Sequence, residues 1–294
     1  MITWSPAGGG PAVDALYLSG MHAPVEAVKV ERTTVDESVI VDDLLVTEEP
    51  LEIRLGHGPE DARTEFRMSV TMRTPGHDNE LALGFLFSEG LIDDIAQVLR
   101  VVTCKNVKPE ELGNVVRVEL HPSVELDPGK WQRNTYTTSS CGVCGKTSID
   151  AVNVTCTRPT GVVPDIDHAL ITSFPERMRA AQTIFKHTGG IHAAALFNTA
   201  GDLLVLREDI GRHNAVDKVI GALLEAALTT EGTVMVVSGR AGFELVQKCA
   251  VAGIPMMISV GAPSTLAVQL ARERGMRLIG FARDGRYNDY TAVK

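Results

Sequence analysis

Hydrophobic and polar positions along the chain change period twice. From Val25 to Val70 the segments "AVKVERTTV", "ESVIVDDLLV", "PLEIRLG" and "EFRMSVTMRT" mix alternation with β-branched residues between charged turns, which predicts the short strands of a small, mostly β subdomain. "GHDNELALGFLFSEGLID" is apolar on nearly every side and predicts a buried helix, capped by Asp78 or Asn79. "NVVRVEL" reads as a further strand and "HPSVELDPGKW" as a turn-rich linker. The linker leads into "NTYTTSSCGVCGKTSID", residues 134–150, whose Thr, Ser and Gly favour an exposed, mobile loop.

From about residue 165 the period becomes helical. "SFPERMRAAQTIFKHTGG" offers a capping box of Ser173 and Glu176 and ends on a double glycine. "HAAALFN" and "LLVLRED" follow as paired strands. Then "NAVDKVIGALLEAAL", "FELVQKCAVAG" and "STLAVQLARERG" read as helices alternating with the strands "TVMVVSG", "PMMISVG" and "RLIGFAR". That alternation predicts the α/β class: a three-layer α/β/α sandwich with a largely parallel sheet. The expected division is a loose tail over 1–22, a β-rich subdomain over 23–164 that includes the cysteine loop, and an α/β domain over 165–294.

A formal charge of −9, from 28 basic and 37 acidic residues, argues against non-specific attraction to nucleic acid or anionic membrane, so an anionic ligand needs a local basic site. No stretch has the length and apolarity of a membrane span, and the N-terminus lacks a signal-peptide pattern, which points to the cytoplasm. Five cysteines in 294 residues do not make a disulfide framework, so the expected state is five thiols.

Cys141 and Cys144 are the exception to that scatter, and their spacing suits three chemistries. Structural zinc needs four ligands, and only Cys156 and His168 lie near, each after a gap of eleven residues. Thiol–disulfide exchange wants the pair at a helix start after a strand, whereas here a Thr and Ser run precedes it. Sulfur carriage needs an exposed thiolate on a mobile arm. Lys146, and backbone N–H groups of Gly142–Gly145 at a helix start, would help to lower the thiol pKa. Two inert loop cysteines complete the alternatives, while Cys249, set in "LVQKCAVAG", is assigned to the core.

A second candidate site lies where strand ends meet helix starts, since unpaired N–H groups there attract phosphates. The junctions read "TGGIHAAA" with Gly189, Gly190 and His192; "REDIGRHNAVDK" with Arg212 and His213; "SGRAGFE" with Ser238, Gly239 and Arg240; "VGAPST"; and "FARDGR", Phe281, Ala282, Arg283, Asp284, Gly285 and Arg286. Any one junction is ordinary turn chemistry. Four arginines on these junctions, at one end of a single sheet, favour an anionic nucleotide.

With "SSCGVCGK", "FKHTGGIHAAAL", "EDIGRHNAVDKVIG", "SGRAGFELVQK" and "GFARDGRYNDYT" in this order, the chain resembles the FdhD family of formate dehydrogenase accessory sulfurtransferases over residues 25–291. The resemblance implies a cytidine-deaminase-like fold and a homodimer. It also implies a function: sulfur taken from a cysteine desulfurase as a persulfide and passed to the molybdenum of bis-molybdopterin guanine dinucleotide, before that cofactor enters the formate dehydrogenase catalytic subunit. It carries the persulfide to Cys141, with Cys144 as helper or alternative carrier, and the cofactor-binding loop to Phe281–Arg286, with GDP as a partial mimic of the cargo. A cofactor chaperone without sulfur chemistry and a CxxC thiol–disulfide oxidoreductase are the alternatives. Zinc-dependent deamination is disfavoured, because His192 is followed by Ala193 and Ala194 and no HxE element follows.

Overall fold

The computed structural model describes residues 22–124 and 160–293. Strands β1 (Val25–Thr33) and β2 (Ser38–Val46) form an antiparallel ribbon. Strands β3 (Glu49–His57), β4 (Thr64–Arg73), β5 (Val98–Thr103) and β6 (Val115–Leu120) form a four-stranded sheet in the order β4-β3-β6-β5. The mostly β character of this half follows the sequence pattern. β5, "VLRVVT", was not legible, since its alternation is interrupted by a register shift between Val98 and Arg100.

Helix α1 (Asp78–Ser88) is buried on most sides, as its composition predicts. Its cap is His77, in left-handed backbone geometry at φ 57°, and neither Asp78 nor Asn79. Asp78 is instead drawn off by Arg73, which donates to it through Nε and Nη2 at 2.9 Å each.

The second half contains α2 (His168–Ala181), α3 (Thr183–Thr188), β7 (His192–Phe197), β8 (Leu203–Asp209), α4 (Arg212–Glu225), β9 (Val234–Val237), α5 (Phe243–Val251), β10 (Met256–Ser259), α6 (Thr265–Glu273), β11 (Arg277–Arg283) and β12 (Arg286–Asp289). Two expectations need correction. α2 starts five residues before Ser173, on an Asp167 side chain that accepts from Ala169 N at 2.7 Å, and Ser173 bonds back to the Leu170 carbonyl within the helix. The six-stranded sheet, β12-β11-β10-β9-β7-β8, is parallel only across β9, β10 and β11, because β7, β8 and β12 arrive through antiparallel pairings.

The three layers follow from strand periodicity. Ala193, Ala195, Phe197, Val234, Val236 and Ile258 face α2, whose Phe174 meets the Phe197 ring at 4.9 Å. Ala194, Leu196, Met235, Val237 and Met257 face the other way, toward α4, α5 and α6. That second core continues through α1 into Leu51, Ile53, Leu55, Val116 and Val118 of the four-stranded sheet. α1 is therefore shared packing between the two sheets.

α1 and α4 cross backbone to backbone. A Cβ on Gly84 would overlap the Asp217 carbonyl, and one on Gly221 the Glu80 carbonyl, so both positions require glycine. Buried polar groups clasp the same junction. Asp209, fully buried, pairs with Lys218 at 2.7 Å and accepts from Thr74 N, Gly211 N and Asn214 Nδ2. Asp217 pairs with Lys248 at 2.8 Å and accepts from Ser88 Oγ at 2.9 Å. Arg207 grips Glu80, with Nη2 2.6 Å from Oε1.

Burial works to raise the Glu80 carboxyl, but hydrogen bonds from Arg207 and His77 outweigh it and hold the pKa down to about 2, against 4.5 for a free side chain. The folded carboxyl therefore holds its proton less tightly than the unfolded one. Its contribution, about 2–3 kcal/mol, is present above pH 4.5 and is lost as the pH falls toward about 2. Chemical denaturation across that window should show stability falling with pH, and Glu80→Gln should flatten the dependence. An unchanged slope in the variant would assign the acid sensitivity to other carboxylates.

Candidate functional site

Strand directions bring the predicted junctions together. Because β9, β10 and β11 are parallel, their C-terminal ends share one edge. β7 runs against β9 and starts at that edge, and β8 runs against β7 and ends there. Gly189, Gly190, His192, Arg212, His213, Ser238, Gly239, Arg240 and Phe281–Arg286 accordingly lie along one edge, from β8 to β12.

The central loops are stitched to one another. Ser259 Oγ donates to the Gly239 carbonyl at 2.8 Å and the Gly261 carbonyl at 3.0 Å, Gly261 N donates to Gly239 O, and Phe281 N donates to Gly261 O at 3.1 Å. Ser259 was not singled out in the sequence. Its signal is faint, a polar residue closing an otherwise apolar strand.

His192 stands beside Ser238, with Nδ1 3.5 Å from Oγ, and Ser238 Oγ accepts from Ala193 N at 2.9 Å. Burial first, and the neighbouring Arg212 guanidinium second, push the His192 pKa below its usual value, so the ring is neutral at neutral pH. His213 is 4% exposed, and its Nε2 lies 3.9 Å from Glu244. The adjacent His213 imidazole is the main cause that keeps the Glu244 carboxyl below the ordinary range.

Four cations remain available on this edge. Arg240, Arg283 and Arg286 are exposed and Arg212 is half-buried, and none forms a hydrogen bond or ion pair with a described residue. By contrast Arg177, Arg207, Arg272 and Arg277 in the same half each donate to a carbonyl or carboxylate. Free guanidinium groups grouped at strand ends present fork-shaped donors to phosphate.

The last junction is a hairpin. Arg283 pairs with Arg286 across Asp284 and Gly285, whose φ values of 51° and 70° are those of the two-residue turn that Asp-Gly favours. That dipeptide was the signal for β12, which the sequence reading missed. Phe281 also has positive φ, 54°, at a register shift between Gly280 and Arg283, and the residue is 37% exposed. A bulky residue held there costs on the order of 1–3 kcal/mol. Ala282, next to it, is fully buried in the core against α2. His168, read in the sequence beside Cys156 for metal ligation, instead reaches this hairpin, with Nε2 3.3 Å from Gly285 O and its ring 5.1 Å from Tyr287.

In "EDIGRHNAVDK" the structure separates scaffold from site. Glu208 caps α3, accepting from Thr183, Ile184 and Phe185 N at 3.0, 2.8 and 2.8 Å, and Asp209, Asn214, Asp217 and Lys218 build the buried clasp. The Arg212 side chain forms no hydrogen bond or ion pair with a described residue. Cys249 is buried and its thiol pushed up to about 12, which makes it inert. Cys141, Cys144, Cys156 and Lys146 lie outside the described residues.

Fold and edge together define an α/β protein whose open sheet edge gathers free arginines, a neutral histidine and a strained aromatic hairpin. Residues 46–294 match the FdhD/NarQ family, and the chain belongs to it. Among similar proteins, the sulfur carrier protein FdhD of Streptomyces avermitilis is 49% identical over 253 residues, 84% of this chain and 87% of that protein. Its counterpart in Mycobacterium tuberculosis is 44% identical over 270 residues, 90% and 95% of the two chains. The crystal structure of a putative formate dehydrogenase accessory protein from Desulfotalea psychrophila superposes with a TM-score of 0.69 at 24% identity, covering 92% of this chain and 98% of that one, and so supports the fold. No helix among the described residues is long and apolar enough to cross a membrane.

Proposed function

We propose that this chain carries sulfur for a formate dehydrogenase: it accepts sulfur from a cysteine desulfurase as a persulfide on Cys141, assisted by Cys144, and passes it to the molybdenum of bis-molybdopterin guanine dinucleotide held at the arginine-bearing edge. Family membership and the relatives named as sulfur carriers support the sulfur chemistry. The observation that carries the cargo assignment is the gathering of Arg212, Arg240, Arg283 and Arg286, without described partners, at one end of the six-stranded sheet. Guanine dinucleotides bring phosphates to such donors and a flat base to an exposed ring such as Phe281. Molybdenum is substrate in this scheme, and no ligand for it is assigned among the described residues.

GDP, as a fragment of that cargo, tests the edge directly. Calorimetry should show binding, and saturating GDP should raise the melting temperature by mass action. Arg283→Ala with Arg286→Ala removes two charge-assisted contacts and should weaken binding about a hundredfold. Equal GDP affinity in the double variant, or no binding at all to the wild type at millimolar nucleotide, would remove the cargo from this edge.

A further inference from the structure

A second basic surface lies on the face of the four-stranded sheet turned away from α1. By strand register Arg67 on β4, Arg54 on β3 and Arg117 on β6 stand side by side, and Arg100 on β5 stands opposite Glu119 on β6. Like charges directly across strands repel, and carboxylates threaded between them hold the row together. Glu65 accepts from Arg54 at 3.1 Å and from Arg117 at 3.2 Å, Glu119 accepts from Arg63 at 2.7 Å, and Glu52 bonds Arg54 and lies 3.4 Å from Arg67.

The threading leaves an excess of positive charge. Two grooves of about 490 and 450 Å³ meet at Glu65 and Arg117. Five cations line them, Arg54, Arg63, Arg100, Lys105 and Arg117, against two carboxylates, Glu65 and Glu119. Even with Glu52 counted, this face is positive on a protein whose net charge is −9. The buried Nε of Arg117 sits 2.7 Å from Glu119 Oε1 but without hydrogen-bond alignment, so a donor is left over. Leu99, 54% exposed, adds an apolar contact on the first groove.

We propose that this face docks an acidic, extended segment of a partner protein, with carboxylates over Arg100, Lys105 and Arg117 and an apolar side chain against Leu99. Charge complementarity selects that occupant. A nucleic acid would meet the interspersed glutamates and the net negative charge of the whole protein, whereas a peptide can place its carboxylates between them. The proposal is independent of the cargo edge, which belongs to the other sheet.

The test uses the full-length protein and a fluorescein-labelled decaglutamate peptide, with decalysine as control. Decaglutamate should bind with a Kd below roughly 1 mM and weaken as salt is added, and decalysine should not bind. Arg100→Glu with Lys105→Glu should weaken it at least about tenfold and lower the melting temperature only slightly, through the carboxylate set opposite Glu119, since both side chains are exposed and neither donates a hydrogen bond to a described residue. Cys104 lines the second groove, half-buried, so its alkylation by iodoacetamide, followed by peptide mass spectrometry, should slow when decaglutamate is bound. The proposal falls if decaglutamate does not bind, if the charge-reversed variant binds equally, if Cys104 is not protected at saturation, or if Arg283→Ala with Arg286→Ala abolishes the binding instead.

Discussion

Asp209→Ala is expected to cost about 3–5 kcal/mol of folding stability, a large share of the roughly 5–15 kcal/mol that holds a typical protein folded. The carboxylate is fully buried and satisfies four donors from three elements: Lys218 Nζ, Asn214 Nδ2, Gly211 N and, across the junction, Thr74 N. Without it the Lys218 ammonium, itself 1% exposed, keeps among the described residues only the Thr74 carbonyl at 2.9 Å. A buried charge missing its counter-ion costs more than the pair ever contributed. At 294 residues the melting temperature should fall by about 5–8 °C. Adding Lys218→Met removes the stranded charge and should recover part of the loss. A double variant no more stable than Asp209→Ala alone would mean that Asp209 acts through its backbone contacts and not through the ion pair.

Cys141→Ala should reduce maturation of the client dehydrogenase to background while leaving the melting temperature unchanged. In the proposed transfer the Cys141 thiolate would take a sulfur atom from the donor's persulfide and the donor cysteine would leave as thiolate, so an alanine has nothing to load. Cys144→Ala measures the division of labour, since a helper slows transfer and a second carrier sustains it. Intact-mass measurement after incubation with a desulfurase and cysteine should show one added sulfur on the wild type and none on the Cys141 variant. Full client activity from Cys141→Ala would sink the carrier assignment, and it would do so without disturbing GDP binding.

Much of the second half was legible because its elements are short, apolar and cleanly punctuated. "TVMVVSG" and "PMMISVG" read as strands and are strands, and the glycines after Thr188 stop α3 with Gly189 at φ 68°. Strand direction was not legible. The same hydrophobic strings serve parallel and antiparallel pairing alike, and β7 and β12 reverse the sheet through contacts made far along the chain. Helix starts were misplaced for a related reason: Asp78 had a competitor in Arg73, and Asp167 offered α2 a cap before Ser173 could. At the site, arginine spacing announced the edge from sequence. The neutral His192, the lack of side-chain partners for four arginines among the described residues, and the backbone of Phe281 depend on neighbours that only folding supplies.

The glycine crossing of α1 and α4 also sets an order of events during synthesis. Residues 78–88 leave the ribosome some 130 residues before 212–225, about 7–26 s at ordinary elongation rates of roughly 5–20 residues per second. Throughout that interval α1 can pack on the four-stranded sheet, but its side around Gly84 lacks the helix it is shaped to meet. The nascent N-terminal half is therefore the stage most open to aggregation, and a chain truncated before Arg212 should be found in the insoluble fraction while the full-length protein is soluble.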